Sequence, residues 1–195
     1  MSTSTNLFRQ LRTGLLLLLV ATAGLGLLYP TAVYAVGRIV PDRADGQIVS
    51  VEGTDVGSAI IGQSFTGPAW FWPRPSAAGD GYDPTSSGAS NLGPENEDLL
   101  AAVEERRAAA AAADGTAPAE VAPDALTASG SGLDPDISPE YAQQQVARVA
   151  AARGLSGQQV AGLVAEHTRG RALGFLGEEH VNVLELNITL AALAG

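Results

Sequence analysis

Cysteine and lysine are both missing from this chain of 195 residues, and methionine occurs once. Without thiols there is no thiol nucleophile, no thiolate metal site and no lipid-bearing cysteine, and an exported chain of this kind has to be stabilised by its core rather than by disulfides. Without lysine, a phosphate-binding loop of the P-loop kind is impossible. Acid is missing from the first 41 positions, which carry only Arg9, Arg12 and Arg38 as charges. Residues 42–195 hold all 21 acids against eight of the eleven arginines, a formal charge of −13. Such a surface repels phosphate backbones, so nucleic acid is not an expected partner.

What the amino-terminal segment has is an uncharged run of 25 residues, Thr13 to Gly37. As a helix it reaches roughly 37 Å at about 1.5 Å per residue, more than the ~30 Å of a hydrocarbon core. Pro30 falls near the far end, where freed backbone groups lie close to water, and Tyr29 and Tyr34 fall where amphipathic rings favour the interface. The competing reading is a cleaved signal peptide with "VYA" ending at Ala35. The run is longer than an ordinary signal core of about 7–15 residues, which favours a retained anchor. Arg9, Arg12 and the amino terminus flank one side and Arg38 and Arg43 the other, and the shortness of the amino-terminal tail tips the expected orientation to a cytoplasmic amino terminus. The expected organisation is a cytoplasmic tail over 1–12, a transmembrane helix over 13–37 and an extracytoplasmic domain over 38–195, in the cell membrane.

The exported body reads as a single α+β domain with a small β element early and helices later. "QIVSVEGTDVGSAIIGQSF" (47–65) alternates around Glu52-Gly53 and predicts two strands and a turn. Residues 67–94 are loop, rich in proline and glycine, with Trp70, Phe71 and Trp72 expected in the core more than on a ligand platform. "NEDLLAAVEERRAAAAAA" (96–113) predicts a helix capped by Asn96. Residues 114–125 read as a low-complexity connector. Ser138 and Pro139 open a further helix that Gly154 stops, and Ser156 with Gln159 forms a capping box for the next. "VNVLELNITLAAL" (181–193) has a helical stripe, although its first four residues would also pair as strand.

"TASGSGLDPDISP" (127–139) is the stretch richest in chemistry. A hydrolase triad drawn from Ser129 or Ser131, His167 and Asp134 lacks a nucleophile elbow, and His167 is expected instead to cap or pack its helix. Asp134, Asp136 and Ser138 have calcium-loop spacing, but Pro139 stands where glycine is needed and no glutamate closes the loop. Turn and helix-cap acceptors are the expected roles of Asp136 and Ser138. "LSGQQ" (155–159) looks like an ABC-ATPase signature, yet a capping box explains it. The "NIT" sequon at Asn187 lies in an apolar helix where a glycan would not fit.

Several loops together carry a resemblance: "GSAIIGQSFTGPAWFWPRPSA" (57–77), "YDPTSSGASNLGP" (82–94), "TASGSGLDPDISP", "QQVARVAAARGL" (144–155) and "HTRGRALGFLGEEHVNVLELNITL" (167–190). In this order, behind one membrane segment, they resemble the KdpC family of the Kdp-type potassium-transporting ATPases from about residue 11 onward. Asp136, Ala89 and Glu179-His180 depart from the family pattern at turns. The resemblance implies a non-catalytic accessory subunit of an ATP-driven potassium importer. It would assemble with a channel-like potassium-binding subunit, a P-type ATPase subunit and a small single-helix subunit. ATP and potassium would be handled by the complex, with no cofactor held by this chain. The family role is described as raising the pump subunit's nucleotide affinity, and the glutamine linked to it matches Gln145. An exported Gln145 cannot reach cytoplasmic ATP, so an indirect effect is expected. The alternatives are an exported hydrolase or a free extracytoplasmic binding module. The 127–139 stretch is then expected to be a proline-braced corner that positions the following helix and helps the body dock.

Overall fold

The computed structural model of the protein describes residues 3–193. The chain forms two compact units, one ending at Gln47 and one beginning at Ile48. In the first, α1 (Thr3–Ala21), a π-helical stretch (Thr22–Leu28) and α2 (Tyr29–Gly37) follow one another without a break. Pro30 accounts for the wide turn. It offers no N–H to the Gly26 carbonyl four residues back, and its ring crowds that oxygen. The Tyr29 N–H reaches instead to the Gly24 carbonyl, and the Thr31 hydroxyl donates to Leu27 O at 2.7 Å. The rod from Asn6 to Gly37 is long and apolar enough to cross a membrane. A short helix α3 (Pro41–Ala44) follows.

The second unit is a mixture of helices and two small antiparallel sheets, the α+β composition expected. Strands β1 (Ile48–Val51) and β2 (Thr54–Ser58) form the expected hairpin, with Val51 opposite Thr54. Its two turn residues, Glu52 and Gly53, both have positive φ (51° and 80°), the twist that suits a two-residue hairpin loop. The second sheet has the order β3-β5-β4, from β3 (Asp136–Ile137), β4 (Thr168–Arg169) and β5 (His180–Asn182).

Local signals place the helices. The Asn96 side chain accepts from the N–H groups of Asp98 and Leu99, and α4 (Glu97–Asp114) ends on left-handed Gly115. Ser138 caps α5 (Pro139–Arg153), and Ser156 with Gln159 completes the capping box of α6 (Gly157–His167). The 181–193 ambiguity resolves by division: His180–Asn182 pair as strand, and α7 (Val183–Leu193) begins immediately after. The core gathers Val146 and Val149 of α5, Val160, Leu163 and Val164 of α6, and Leu186 and Leu190 of α7 around Phe71.

Composition alone reads residues 114–125 as a connector, whereas Val121, Ala122 and Ala125 are buried and two short 3-10 turns fold the segment against α4. Its side chains are small, but they fit a core in which Ala110, Ala111, Ala142 and Ala150 already allow close approach.

The 127–139 stretch is a corner tied from several sides. Asp124 accepts from both the N–H and the hydroxyl of Ser138, at 2.7 and 2.9 Å. Arg74 pairs with Asp134 at 3.0 Å, and Gly62 N–H donates to Leu133 O at 2.8 Å. Gly132, at φ +67°, is irreplaceable on two counts, since a Cβ there would stand 2.6 Å from Gly88 O and 2.7 Å from Ala78 N. Asp134, rather than Asp136, is the turn acceptor, receiving the Asp136 N–H at 3.1 Å.

Candidate functional site

Gln145 lies on the inner face of α5 and is fully buried. Its Oε1 accepts from the Trp72 N–H at 2.7 Å and its Nε2 donates to Trp72 O at 3.1 Å. One residue earlier, Asn187 of α7 does the same for Phe71: Oδ1 accepts from the N–H and Nδ2 donates to the carbonyl, each at 2.9 Å. Successive residues of an extended segment point their backbone groups to opposite sides. Residues 71 and 72 belong to neither sheet, and each instead finds, on its own side, a side-chain amide that supplies the donor and acceptor a strand would have given.

Arg148, one helical turn from Gln145, completes the clamp. Its guanidinium meets Asp114 at 2.7 Å, donates to Pro68 O and Trp70 O at 2.9 Å, and reaches Gln145 Oε1 at 2.6 Å. It also lies 3.8 Å from the ring centroid of Trp72. Arg153 repeats the pattern one layer on, donating to Ala69 O at 2.8 Å and lying 4.2 Å from the Trp70 centroid. The aromatic trio thus divides: Phe71 is wholly buried, and the two tryptophans are half-buried beneath arginines. Asn187 is 1% exposed, so the sequon position faces the core. What the sequence signals do not reveal is this pairing of distant amides with a loop backbone.

The hydrolase set is not brought together. Ser129 and Ser131 face each other at 3.3 Å, Asp134 pairs with Arg74, and neither serine nor Asp134 bonds to His167. Among the described residues, no group of three or more His, Asp or Glu side chains is placed to hold a metal ion. Beside the corner, an open cleft of about 420 Å³ is lined by Asp124, Asp134, Asp136, Glu140, Glu178 and Glu179, with Arg74 and His180. Its lining holds six carboxylates and one guanidinium, that of Arg74. A second, mostly apolar hollow of about 310 Å³ lies between Phe65, Trp70, Val56 and α7.

Asp136 lines the acidic cleft, and burial raises its carboxyl above the ordinary range, opposed by His180 at 3.9 Å and the Asn182 amide. A carboxyl with a raised folded pKa holds its proton more tightly folded than unfolded. The contribution of Asp136 to stability is therefore fully present below the ordinary carboxylate range and is lost as pH rises from there through the raised value. Asp136→Asn removes that loss. The variant is expected to melt higher than the parent at neutral pH, with the gap closing below about pH 4. A melting difference that persists unchanged to about pH 3 would show that burial of charge is not its cause.

Comparison with known proteins gives one answer along nearly the whole chain. The profile of the family described as "K+-transporting ATPase, c chain" matches residues 11–192. A "Potassium-transporting ATPase KdpC subunit" from Kineococcus radiotolerans is 78% identical over 190 residues, covering 97% of both chains. Proteins of the same name from Koribacter versatilis (49% over 183 residues, 93% and 94% covered) and Mycobacterium tuberculosis (52% over 185 residues, 93% and 97% covered) are also similar. An apolar rod, a mixed α+β body and this end-to-end likeness agree, and the chain belongs to the KdpC family of potassium-transporting ATPase subunits.

Proposed function

We propose that this chain is a non-catalytic, membrane-anchored accessory subunit of an ATP-driven potassium importer. Residues 1–12 lie in the cytoplasm, 13–37 span the bilayer, and the body over 38–195 docks outside the cell on the potassium-binding, P-type ATPase and single-helix subunits. Tethering raises the body's effective concentration beside those partners. Any effect on the pump's nucleotide affinity is indirect, transmitted through the assembly.

The observation that carries this reading is the state of Gln145. It is fully buried, and both of its amide atoms are already bonded, to the Trp72 backbone and to Arg148. A side chain so engaged serves a nucleotide only if the clamp on residues 71 and 72 opens, which leaves buried backbone groups unpaired. Gln145 acts here as a brace for the loop that the body presents.

Two measurements test this. The wild-type chain is expected to co-purify in detergent with large membrane subunits, and protease added to intact spheroplasts is expected to trim the body; cleavage only in inside-out vesicles would invert the topology. Millimolar ATP is expected to leave the melting temperature of the isolated chain unchanged, while Gln145→Ala lowers it by several degrees, on the order of 2 kcal/mol for the orphaned Trp72 groups. An ATP-induced rise in melting temperature, abolished by Gln145→Ala, would make the glutamine a nucleotide ligand after all.

A further inference from the structure

The hairpin joining β4 to β5 stands out from the body. Residues 171–179 are all exposed, and a Cβ added at Gly170, Gly174 or Gly177 would meet nothing within 4 Å. Its tip is nonetheless well defined. Ala172 and Leu176 exchange two backbone bonds, at 2.8 and 2.9 Å, folding Leu173, Gly174 and Phe175 into a small terminal turn. This turn carries three large apolar side chains that are each more than half exposed: Leu173 is 83% exposed, Phe175 69% and Leu176 51%. Leu173 also holds a φ of +56°, a left-handed conformation that a leucine adopts only under strain. Surface leucines are ordinary singly, but an ordered knob of three is a docking feature.

Charge identifies the occupant. Segments that enter lipid headgroups carry unpaired basic side chains. Here Arg171 is paired with Glu178 at 2.6 Å and Arg169 with Glu185 at 2.5 Å, so each arginine of the hairpin already stands against a carboxylate. The returning limb of the same hairpin brings Glu178 and Glu179 to the edge of the acidic cleft, beside Asp134, Asp136 and Glu140. With Arg74 and Arg171 both counted, six carboxylates of the cleft stand against two arginines, so the surface next to the knob is net negative and does not suit anionic lipid.

Resting on the accessory-subunit reading above, we infer that Leu173, Phe175 and Leu176 form an anchor that inserts into an apolar pocket on a larger subunit of the transporter. The pocket's rim is basic and faces the cleft edged by Glu178 and Glu179. Compact apolar anchors flanked by a polar rim carry most of the energy of protein interfaces, and complementary charge sets their orientation.

The absence of cysteine from the chain makes the test direct. Ala172→Cys puts one thiol at the tip and leaves the three large side chains in place. In the full chain assembled with its transporter subunits, maleimide labelling of that thiol is expected to be slower than in the isolated chain by about tenfold or more, and adding Glu178→Arg with Glu179→Arg is expected to remove the protection. In a separate pair, Leu173→Gly and Phe175→Ser are expected to weaken co-purification while the melting temperature of the isolated chain is unchanged or, for Leu173→Gly, higher. Equal labelling rates in assembly and isolation would overturn the anchor, as would undiminished co-purification of both tip variants. Protection by vesicles of phosphatidylcholine and phosphatidylglycerol without any other subunit would overturn it in favour of lipid. A wild-type chain that co-purifies with no transporter subunit would refute the accessory-subunit reading itself, and the anchor with it.

Discussion

Replacing Asn187 by leucine is expected to lower the melting temperature of the chain by on the order of 10 °C. The side chain is 1% exposed and the residue it serves, Phe71, is wholly buried. Leucine is close in volume, so the cavity contribution is small; what remains is the Phe71 N–H and carbonyl, both buried without the partners they now have at 2.9 Å. Each orphaned group costs about 1–3 kcal/mol, and for a chain of this size each kcal/mol moves the midpoint by about 2–4 °C. The contrast is Asn96→Ala, which removes a half-buried helix cap at the protein surface and is expected to cost only about 1 kcal/mol. Two asparagines of identical chemistry therefore differ several-fold in effect, because one bonds a helix end open to water and the other bonds a backbone that water cannot reach. Thermal melts followed by circular dichroism distinguish them. Equal small losses for the two variants would mean that the Phe71 backbone has another route to satisfaction.

That same contrast explains how much of this protein is legible in its sequence. Asn96, Ser138 and Ser156 announce their roles because their partners lie two or three residues away, within reach of a motif. Glu52-Gly53 is readable for the same reason: its turn is closed by residues it adjoins. Asn187 and Gln145 give no such sign, since the backbones they brace are 116 and 73 positions distant. A local reading sees a stray sequon and a polar residue on a helix. The burial of 121–125 is hidden differently, because alanine, proline and valine in short turns look the same in a linker and in a tight corner against an alanine-rich helix. The hairpin tip escapes because "ALGFLG" carries no periodicity, and exposure of apolar side chains is a property of the fold.

The largest single effect is expected at Arg148. Its side chain is 6% exposed and that of its partner Asp114 only 2%, with 2.7 Å between Nε and the carboxylate. A buried ion pair adds little against a well-packed apolar pair of the same shape, yet removing one member leaves the other charge stranded, at about 3–5 kcal/mol. Arg148→Met does this to Asp114. It also takes away the donors that hold Pro68 O, Trp70 O and Gln145, and the stack on Trp72. Such a loss is a large part of the ~5–15 kcal/mol that a domain commands, so the variant is expected to be mostly unfolded near 40 °C and absent from the assembled transporter. Arg148→Lys is expected to recover little, because one ammonium cannot reach a carboxylate, two carbonyls and an amide oxygen from different directions as a planar fork does. The decisive measurement is the double variant Asp114→Asn with Arg148→Met, which removes both charges and should melt above Arg148→Met alone. If the double variant instead loses the sum of the two single losses, the stranded carboxylate is not what unfolds the chain. The carbonyls of the 67–72 loop would then be the groups that depend most on Arg148, and holding that loop, more than closing the ion pair, would be the reason an arginine stands at this turn of the helix.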